Sequence, residues 1–139
     1  MMGALFLFGT LCHPPLLSVV AGRHLGVRKA SLRDMRAVCA GGESWPMLVA
    51  QPGAEVAGVV ITPEADVLAR LDFYEACFGY ARKPVTVMVD GVQTPAEIWW
   101  PQTPGGAGGR DWDLAAWARD WGDLATCAAQ DVMEQRATA

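Results

Sequence analysis

The chain has 139 residues, a length that suits one domain with a hydrophobic core and is short for two. Its residues are 52% hydrophobic and 19% charged, which is typical of a globular protein and not of a disordered one. The formal net charge of -4 argues against general nucleic-acid binding, which usually requires a basic surface.

The N-terminal apolar stretch, Gly3 to Leu11, is too short to cross a bilayer, and it lacks the basic flank and the cleavage site of a secretory signal. We therefore expect a soluble cytoplasmic protein with no membrane or nucleic-acid partner. The cysteines are widely scattered and form no CxxC pair, so we expect reduced thiols and no metal site. They are Cys12, Cys39, Cys77 and Cys127.

The first predicted elements are a strand and a short helix. Ala4 to Phe8 is a continuous apolar run, which is typical of a strand buried on both faces. Gly9-Thr10 ends this run. Two prolines after His13 then predict a helix over Pro14 to Ala21, with Gly22 as its terminator.

Three further strands are predicted before the next helix, at Met35 to Ala40, Trp45 to Ala50 and Val56 to Ile61. Turns are expected at Gly41-Gly42 and at Gln51-Pro52-Gly53. Gly58 lies inside the last of these strands, where a glycine often marks a bulge or a close approach of two backbones.

A second helix and a hairpin follow. Thr62 as N-cap and Pro63 at the first helical position predict a helix whose body is Ala65 to Tyr74. Asp90-Gly91, a dipeptide typical of hairpins, lies between two strands, although a longer loop also fits. These strands are predicted at Pro84 to Val89 and Ala96 to Trp100.

The predicted order βαβββαββ lacks the regular βαβ alternation of a Rossmann sheet. Many short strands instead favour an α+β fold, in which a mixed, mainly antiparallel sheet curls into a small barrel with two short helices. We assign this domain to residues 1–102.

Residues 103–110 are rich in glycine and proline and predict a linker to a C-terminal amphipathic helix over 111–136, capped by Asp111. Its apolar stripe is Leu114, Trp117, Trp121, Leu124, Ala128 and Val132. Trp112, Trp117 and Trp121 carry too much apolar area to remain in water. We expect them to pack on the domain, on a second copy in a homodimer, or on a partner domain.

Two features of the chain have chemical potential. At Gly9-Thr10-Leu11 a buried strand stops abruptly, and N–H groups freed from the sheet there can bind an anion or a developing oxyanion. A simple strand-to-helix connection explains the same residues. Asp72 and Glu75 lie three residues apart at the end of the second helix.

A carboxylate beside aromatic side chains can have a raised pKa and act as a general base near neutral pH. Glu75 has such neighbours in the sequence. The alternative is structural: Glu75 pairs with Arg82 or Arg70 and fixes the helix end. Cys12 is a nucleophile only if cationic neighbours lower its pKa, and His13 is expected to cap a helix or face solvent.

Four segments, taken in order, resemble the gamma-glutamylcyclotransferase-like (avirulence-induced-gene-like) family over roughly residues 4–100. They are FGTL at 8–11, WPMLV at 45–49, PGAEVAGVV at 52–60 and LDFYEACFGYARKPVTV at 71–87. The family carries a Tyr/Phe-Gly-Ser/Thr-Leu loop and a glutamate at an LDxxE-type helix end. Phe8 stands where many members have tyrosine, and Ala76 where glycine is common.

The resemblance implies a cofactor-independent enzyme without a metal, which cyclises a small γ-glutamyl amine or peptide to 5-oxoproline and releases the amine. It implies that Glu75 is the catalytic acid/base. The loop residues Phe8, Gly9, Thr10 and Leu11 would bind the substrate, with Tyr80 and Arg82 lining the site.

The run WDLAAWARDWGDLATCAAQDVM resembles the connecting helix of bacterial proteins in which this domain is joined to a Nudix-type ADP-ribose pyrophosphatase. No Nudix box, with its dense glutamates, occurs in this chain. The resemblance leaves open a second function, that of a non-catalytic ligand-binding, accessory or dimerisation domain that uses Trp112, Trp117 and Trp121.

Overall fold

The computed structural model describes residues 3–40, 44–101 and 107–138. The strands in these residues are β1 Ala4–Leu7, β2 Arg28–Ala40, β3 Pro46–Ile61, β4 Tyr80–Val89, β5 Val92–Pro101 and β6 Ala107–Asp111. The helices are α1 Pro14–Ala21, α2 Ala65–Ala76 and α3 Leu114–Thr138, with a short 3₁₀ helix at Thr10–Cys12.

The strands form a barrel. Their order is β3-β1-β5-β4-β2, and β2 also pairs with β3, which closes the sheet on itself. β1 runs parallel to β5, and the other neighbouring strands are antiparallel. β6 adds to β2 outside the closed ring. The predicted α+β fold with a mixed, mainly antiparallel barrel is confirmed.

Strand β1 is buried on both faces, as its apolar run predicts. Phe6 points into the barrel and packs with a cluster that includes Val87 and Ile98. Leu5 and Leu7 belong to a second cluster, between the barrel and the helices. Successive side chains of a strand point to opposite faces, so this one strand joins the two cores of the fold.

Gly58 of β3 lies against β1, which confirms the close backbone approach expected from the sequence. A Cβ atom at this position would overlap the carbonyl oxygen of Leu7 and lie 2.7 Å from Cζ of Phe6. Only a glycine lets β3 pass the end of β1 at this distance. The contact fixes the strand end from which the Phe8–Leu11 loop departs.

The predicted turn at Gln51-Pro52-Gly53 is wrong, because β3 is one long strand through these residues. The irregularity belongs to a bulge between β2 and β3, where Asp34 has φ 63° and Gly53 has φ 86°. The Gly53 N–H donates a hydrogen bond of 3.0 Å to Oδ1 of Asp34. The residues that suggested a turn instead bend a long hairpin.

The predicted helix α1 is confirmed at both ends, and Gly22 ends it with φ 85°. The N-cap of α2 is Glu64 and not Thr62, and the helix extends to Ala76. The β4–β5 hairpin has a two-residue turn at Asp90-Gly91, in which both residues have positive φ. Positive φ at both positions is the pattern of a type I′ turn, so the longer loop is excluded.

The C-terminal part differs from the predicted linker and helix. Residues 107–111 form β6, whereas the predicted turn at Gly41-Gly42 and linker positions 103–106 lie outside the described residues. Asp113, and not Asp111, caps α3: its Oδ2 accepts a hydrogen bond of 2.9 Å from the Ala116 N–H. Asp111 instead forms an ion pair with Arg36.

Helix α3 packs on the domain. Its side chains Trp117, Ala129 and Met133 are buried in the same cluster as residues of α1 and α2. Helix α3 therefore completes the core on the side of the barrel that carries α1 and α2.

None of the helices in the described part of the chain is long and apolar enough to cross a membrane.

Candidate functional site

A cavity of about 510 Å³ lies where the end of β1, the end of α2, the start of β4 and the middle of α3 meet. This volume falls within the range of small-molecule sites, which is about 300–1,000 Å³. Six of the seven predicted site residues line it: Phe8, Gly9, Thr10, Leu11, Glu75 and Tyr80. Arg82 is not among the lining residues that the structure describes.

One wall of the cavity is the loop that follows β1. Gly9 precedes the 3₁₀ helix, and a Cβ atom on it would lie 3.1 Å from Cγ of Pro46, a tight contact. The first N–H groups of a helix have no acceptor within it. In the described part of the chain no acceptor is found for the N–H groups of Thr10 and Leu11. Within the described residues these two donors are therefore unpaired beside the cavity that both residues line.

Glu75 lies in the last turn of α2, and its partly buried side chain lines the same cavity. Among the described residues, no group forms an ion pair or a hydrogen bond with its carboxylate. Burial, and to a lesser extent the charge of Asp72, raises the pKa of Glu75 from 4.5 to about 7. A carboxyl group with such a pKa can both accept and donate a proton near neutral pH.

The second carboxylate, Asp72, has the opposite environment. Its Oδ1 accepts hydrogen bonds from Nε1 of Trp99 at 2.9 Å and from Nε of Arg82 at 3.0 Å. Arg82 also contacts Oε1 of Glu97, at 2.9 Å from Nη1. Asp72 is thus held in a structural network, one helical turn away from Glu75.

The structural alternative for Glu75 is wrong, because both candidate cations have other partners. Arg82 is engaged by Asp72 and Glu97. Arg70 donates to the carbonyl oxygens of Val20 and Val19, at 2.8 and 3.1 Å, and so satisfies the end of α1. Neither arginine neutralises the Glu75 carboxylate.

Two tyrosines border the carboxylate. Burial, and then the charges of Glu75 and Cys77, raise the pKa of Tyr74 to about 12. Burial and the charge of Glu75 also raise the pKa of Tyr80. Both phenols therefore keep their protons near neutral pH and can act as hydrogen-bond donors. The Tyr74 ring packs edge-on against Phe78, with the ring centroids 5.1 Å apart.

Cys12 and His13 lie beside the loop but do not line the cavity. The Cys12 thiol donates to the carbonyl oxygen of Leu7 at 3.1 Å, and burial raises its pKa to about 11, so it is not an activated nucleophile. His13 is the N-cap residue of α1, as expected, but its imidazole forms no capping hydrogen bond. Its ring packs edge-on against Trp117, and its buried Nε2 has no hydrogen-bond partner among the described residues.

The remaining wall comes from α3. The stripe predicted from the sequence contains every residue of this wall except Ala125, but the sequence does not indicate that the stripe faces a cavity. Its lining members are Trp117, Trp121, Leu124, Ala125 and Ala128. Trp112 packs against Trp117 with ring centroids 6.4 Å apart, and its Nε1 donates to the carbonyl oxygen of Ser44 at 2.8 Å. Two of the three tryptophans are therefore engaged within the chain.

The chain resembles known proteins in its sequence and in its fold. Residues 5–119 match the family model described as gamma-glutamyl cyclotransferase, AIG2-like. Comparison with curated protein sequences found no match. The link to Nudix hydrolases remains a prediction, because the matched model describes only the cyclotransferase-like domain.

Several solved structures share the fold. A solution structure from Arabidopsis thaliana is 20% identical, with a TM-score of 0.66 over 99% of this chain and 85% of that one. A structure named gamma-glutamyl cyclotransferase is 18% identical, with a TM-score of 0.64 over 77% of this chain and 70% of that one. An AIG2-like protein from Mus musculus is 21% identical, with a TM-score of 0.56 over 81% and 86%. Because the family model covers most of its length, this chain belongs to the gamma-glutamyl cyclotransferase, AIG2-like family.

Proposed function

We propose that this protein is a gamma-glutamylcyclotransferase that converts a γ-glutamyl amine or peptide to 5-oxoproline and the free amine, with Glu75 as its acid/base. The observation that carries the proposal is the Glu75 carboxylate, which has no partner among the described residues and whose pKa is raised to about 7 by burial in the wall of a ligand-sized cavity. Perturbed carboxyl groups without a structural partner are characteristic of catalytic sites.

In the proposed reaction Glu75 takes a proton from the α-ammonium group of the substrate. The free amine then attacks the γ-carbonyl carbon of the same molecule, which forms the C–N bond of a five-membered lactam. The C–N bond to the leaving amine breaks as Glu75 returns the proton to the departing nitrogen. Glu75, ionised again, takes the second proton from the attacking nitrogen, which becomes the lactam N–H, and passes it to the released amine, which leaves as an ammonium ion. Because attack is intramolecular, the protein needs only to orient the substrate, carry protons from one nitrogen to the other and stabilise charge.

The hydrogen-bond donors around the cavity suit the orientation of the substrate and the stabilisation of charge. The free N–H groups of Thr10 and Leu11 are proposed to bind the substrate carboxylate or the developing oxyanion. The protonated phenol of Tyr80 is a further donor beside Glu75. We leave Arg82 out of the proposed site, since its guanidinium is already engaged by Asp72 and Glu97.

The proposal is tested by measuring 5-oxoproline release from a panel of γ-glutamyl amines and dipeptides. Glu75→Gln keeps the shape of the side chain but cannot exchange a proton, and it should lower kcat about 10²–10⁴-fold. Glu64→Gln makes the same change at an exposed position at the start of α2 and is the matched control. Equal activity of wild type and Glu75→Gln would refute the assignment.

A pH profile adds an independent readout. The attacking amine must lose a proton to Glu75, so kcat/KM should rise as the pH passes through about 7 and the carboxyl group ionises. The Glu64→Gln control should keep this rise. A profile that is flat between pH 5 and 8 would exclude Glu75 as the base.

A second candidate is the non-catalytic accessory or dimerisation domain, and the observation that favours it is Trp121, which is 47% exposed. Trp112 and Trp117 already pack within the chain. Removing α3 would uncover the core, so a point substitution is the better test. If the function is association, Trp121→Ala should dissociate an oligomer seen by analytical ultracentrifugation, and no γ-glutamyl compound should be cyclised.

A further inference from the structure

The cavity extends well beyond Glu75 and the loop, and its extension is apolar. We call the residues that α3 contributes, Trp117, Trp121, Leu124, Ala125 and Ala128, the α3 wall. Their spacing of three, four and seven residues puts them on one face of the helix. Trp45, Met47 and Phe78 line other parts of the same cavity.

Charge is nearly absent from the lining. Among the described lining residues Glu75 is the only one with a charged side chain, and the proposed mechanism already uses it. The γ-glutamyl group itself carries one carboxylate and one ammonium group. A further charged group, on the part of the ligand beyond the γ-carbonyl, would lose its hydration water without gaining an ionic partner from the lining, which is unfavourable. The chemistry of the lining selects against charge in the part of the substrate that lies beyond the γ-carbonyl.

Parts of the α3 wall are accessible. Trp121 is 47% exposed and Leu124 is 65% exposed, and both line the cavity. Large apolar side chains exposed together at the wall of a cavity are typical of a ligand-binding surface. Trp117 is only 6% exposed and is fixed in the core, so it gives this surface a rigid base.

We propose that the α3 wall binds the leaving amine of the substrate, and that the preferred substrates are γ-glutamyl amides of uncharged apolar amines, aromatic ones above all. This inference rests on the function proposed above. The reacting γ-glutamyl group lies between Glu75 and the Thr10–Leu11 donors, and the substituent on the leaving nitrogen extends along the α3 wall. An aromatic ring can stack on the indole of Trp121.

The test compares kcat/KM for the γ-benzylamide, the γ-methylamide and the γ-glutamyl derivative of glutamate. The benzylamide and the methylamide differ only by a phenyl ring. One additional methylene group in an apolar pocket changes kcat/KM about 10–200-fold, so the benzylamide should exceed the methylamide at least tenfold. The glutamate derivative should be the poorest substrate of the three.

Variants of the wall connect this preference to α3. Trp121→Ala should lower the benzylamide-to-methylamide ratio about tenfold. Leu124→Lys should lower that ratio as well, and it should raise kcat/KM for the glutamate derivative relative to the benzylamide. Gln130→Lys adds the same charge at an exposed position of α3 that is not among the lining residues, and it should leave both ratios unchanged.

The outcomes separate the two proposals. Absence of 5-oxoproline from every compound overturns the proposed function and the inference together. Release of 5-oxoproline with similar kcat/KM for benzylamide and methylamide overturns only the inference. If wild type is a dimer that Trp121→Ala dissociates while the substrate ratio stays constant, the α3 wall belongs to a second copy and the inference is again wrong.

Discussion

The environment of Glu75 makes a prediction about stability that does not depend on any substrate. The pKa of this carboxyl group rises from 4.5 to about 7 on folding, chiefly because the group is buried. Between these pH values the folded protein holds a proton that the unfolded chain has released. The free energy of unfolding therefore falls as the pH rises, and the loss is complete above about pH 7.

The size of the effect follows from the same values. At about 1.36 kcal/mol for each pH unit, the rise in pKa corresponds to a loss of about 3 kcal/mol between pH 4.5 and pH 8. The glutamine side chain of Glu75→Gln has no charge to bury, so the free energy of unfolding of this variant lacks this fall with pH. The free energy of unfolding of Glu75→Gln minus that of wild type should thus increase by about 3 kcal/mol over this range.

Urea denaturation at a series of pH values measures the difference directly. Glu134→Gln, an exposed carboxylate on α3, shows the effect of the same substitution without the cavity and is subtracted at each pH. An increase below about 1 kcal/mol, or a decrease, would refute the conclusion that Glu75 is buried without a partner. The catalytic proposal would then lose its main support.

Three further predictions concern the scaffold. Gly58→Ala should destabilise the protein by about 3 kcal/mol or more in a thermal melt, because the added methyl group overlaps β1. Gly26→Ala, with open space around it, should be nearly neutral, and similar melting temperatures for the two variants would contradict the close contact at Gly58. Cys12 should react with iodoacetamide in the native protein far more slowly than exposed Cys77, as followed by mass spectrometry, and faster labelling of Cys12 would exclude its burial. Arg70→Met should cost about 1–3 kcal/mol of unfolding free energy by leaving the last carbonyls of α1 without donors, and an unchanged urea midpoint would show that those bonds contribute nothing.

Local sequence patterns predicted the elements whose geometry depends only on their own residues. The apolar run of β1, the prolines and Gly22 of α1 and the Asp90-Gly91 dipeptide each determine their own geometry. The prediction failed where two paired strands share an irregularity. Pro52-Gly53 looks like a turn, but pairing with the bulge at Asp34 keeps β3 continuous, and no local signal reveals that partner.

The same limit applies to the candidate site. The sequence indicated Glu75 and the loop after β1, and the structure brings both to one cavity. The sequence did not reveal whether Arg82 pairs with Glu75 or with Asp72, because that pairing depends on Trp99 and Glu97, which lie on β5. The cavity-facing side of α3 was equally hidden, since an apolar stripe looks the same whether it meets a core or a ligand.

The origin of the α3 wall has a consequence for how this protein can diversify. The family match ends at residue 119, whereas Trp121, Leu124 and Ala128 lie beyond it. Glu75 and the Thr10–Leu11 donors belong to the matched part. The proposed chemistry and most of the proposed selectivity thus reside in different stretches of the polypeptide, and we expect a few exchanges on the last helix to redirect the pocket to new compounds while the barrel and the proposed proton carrier stay intact.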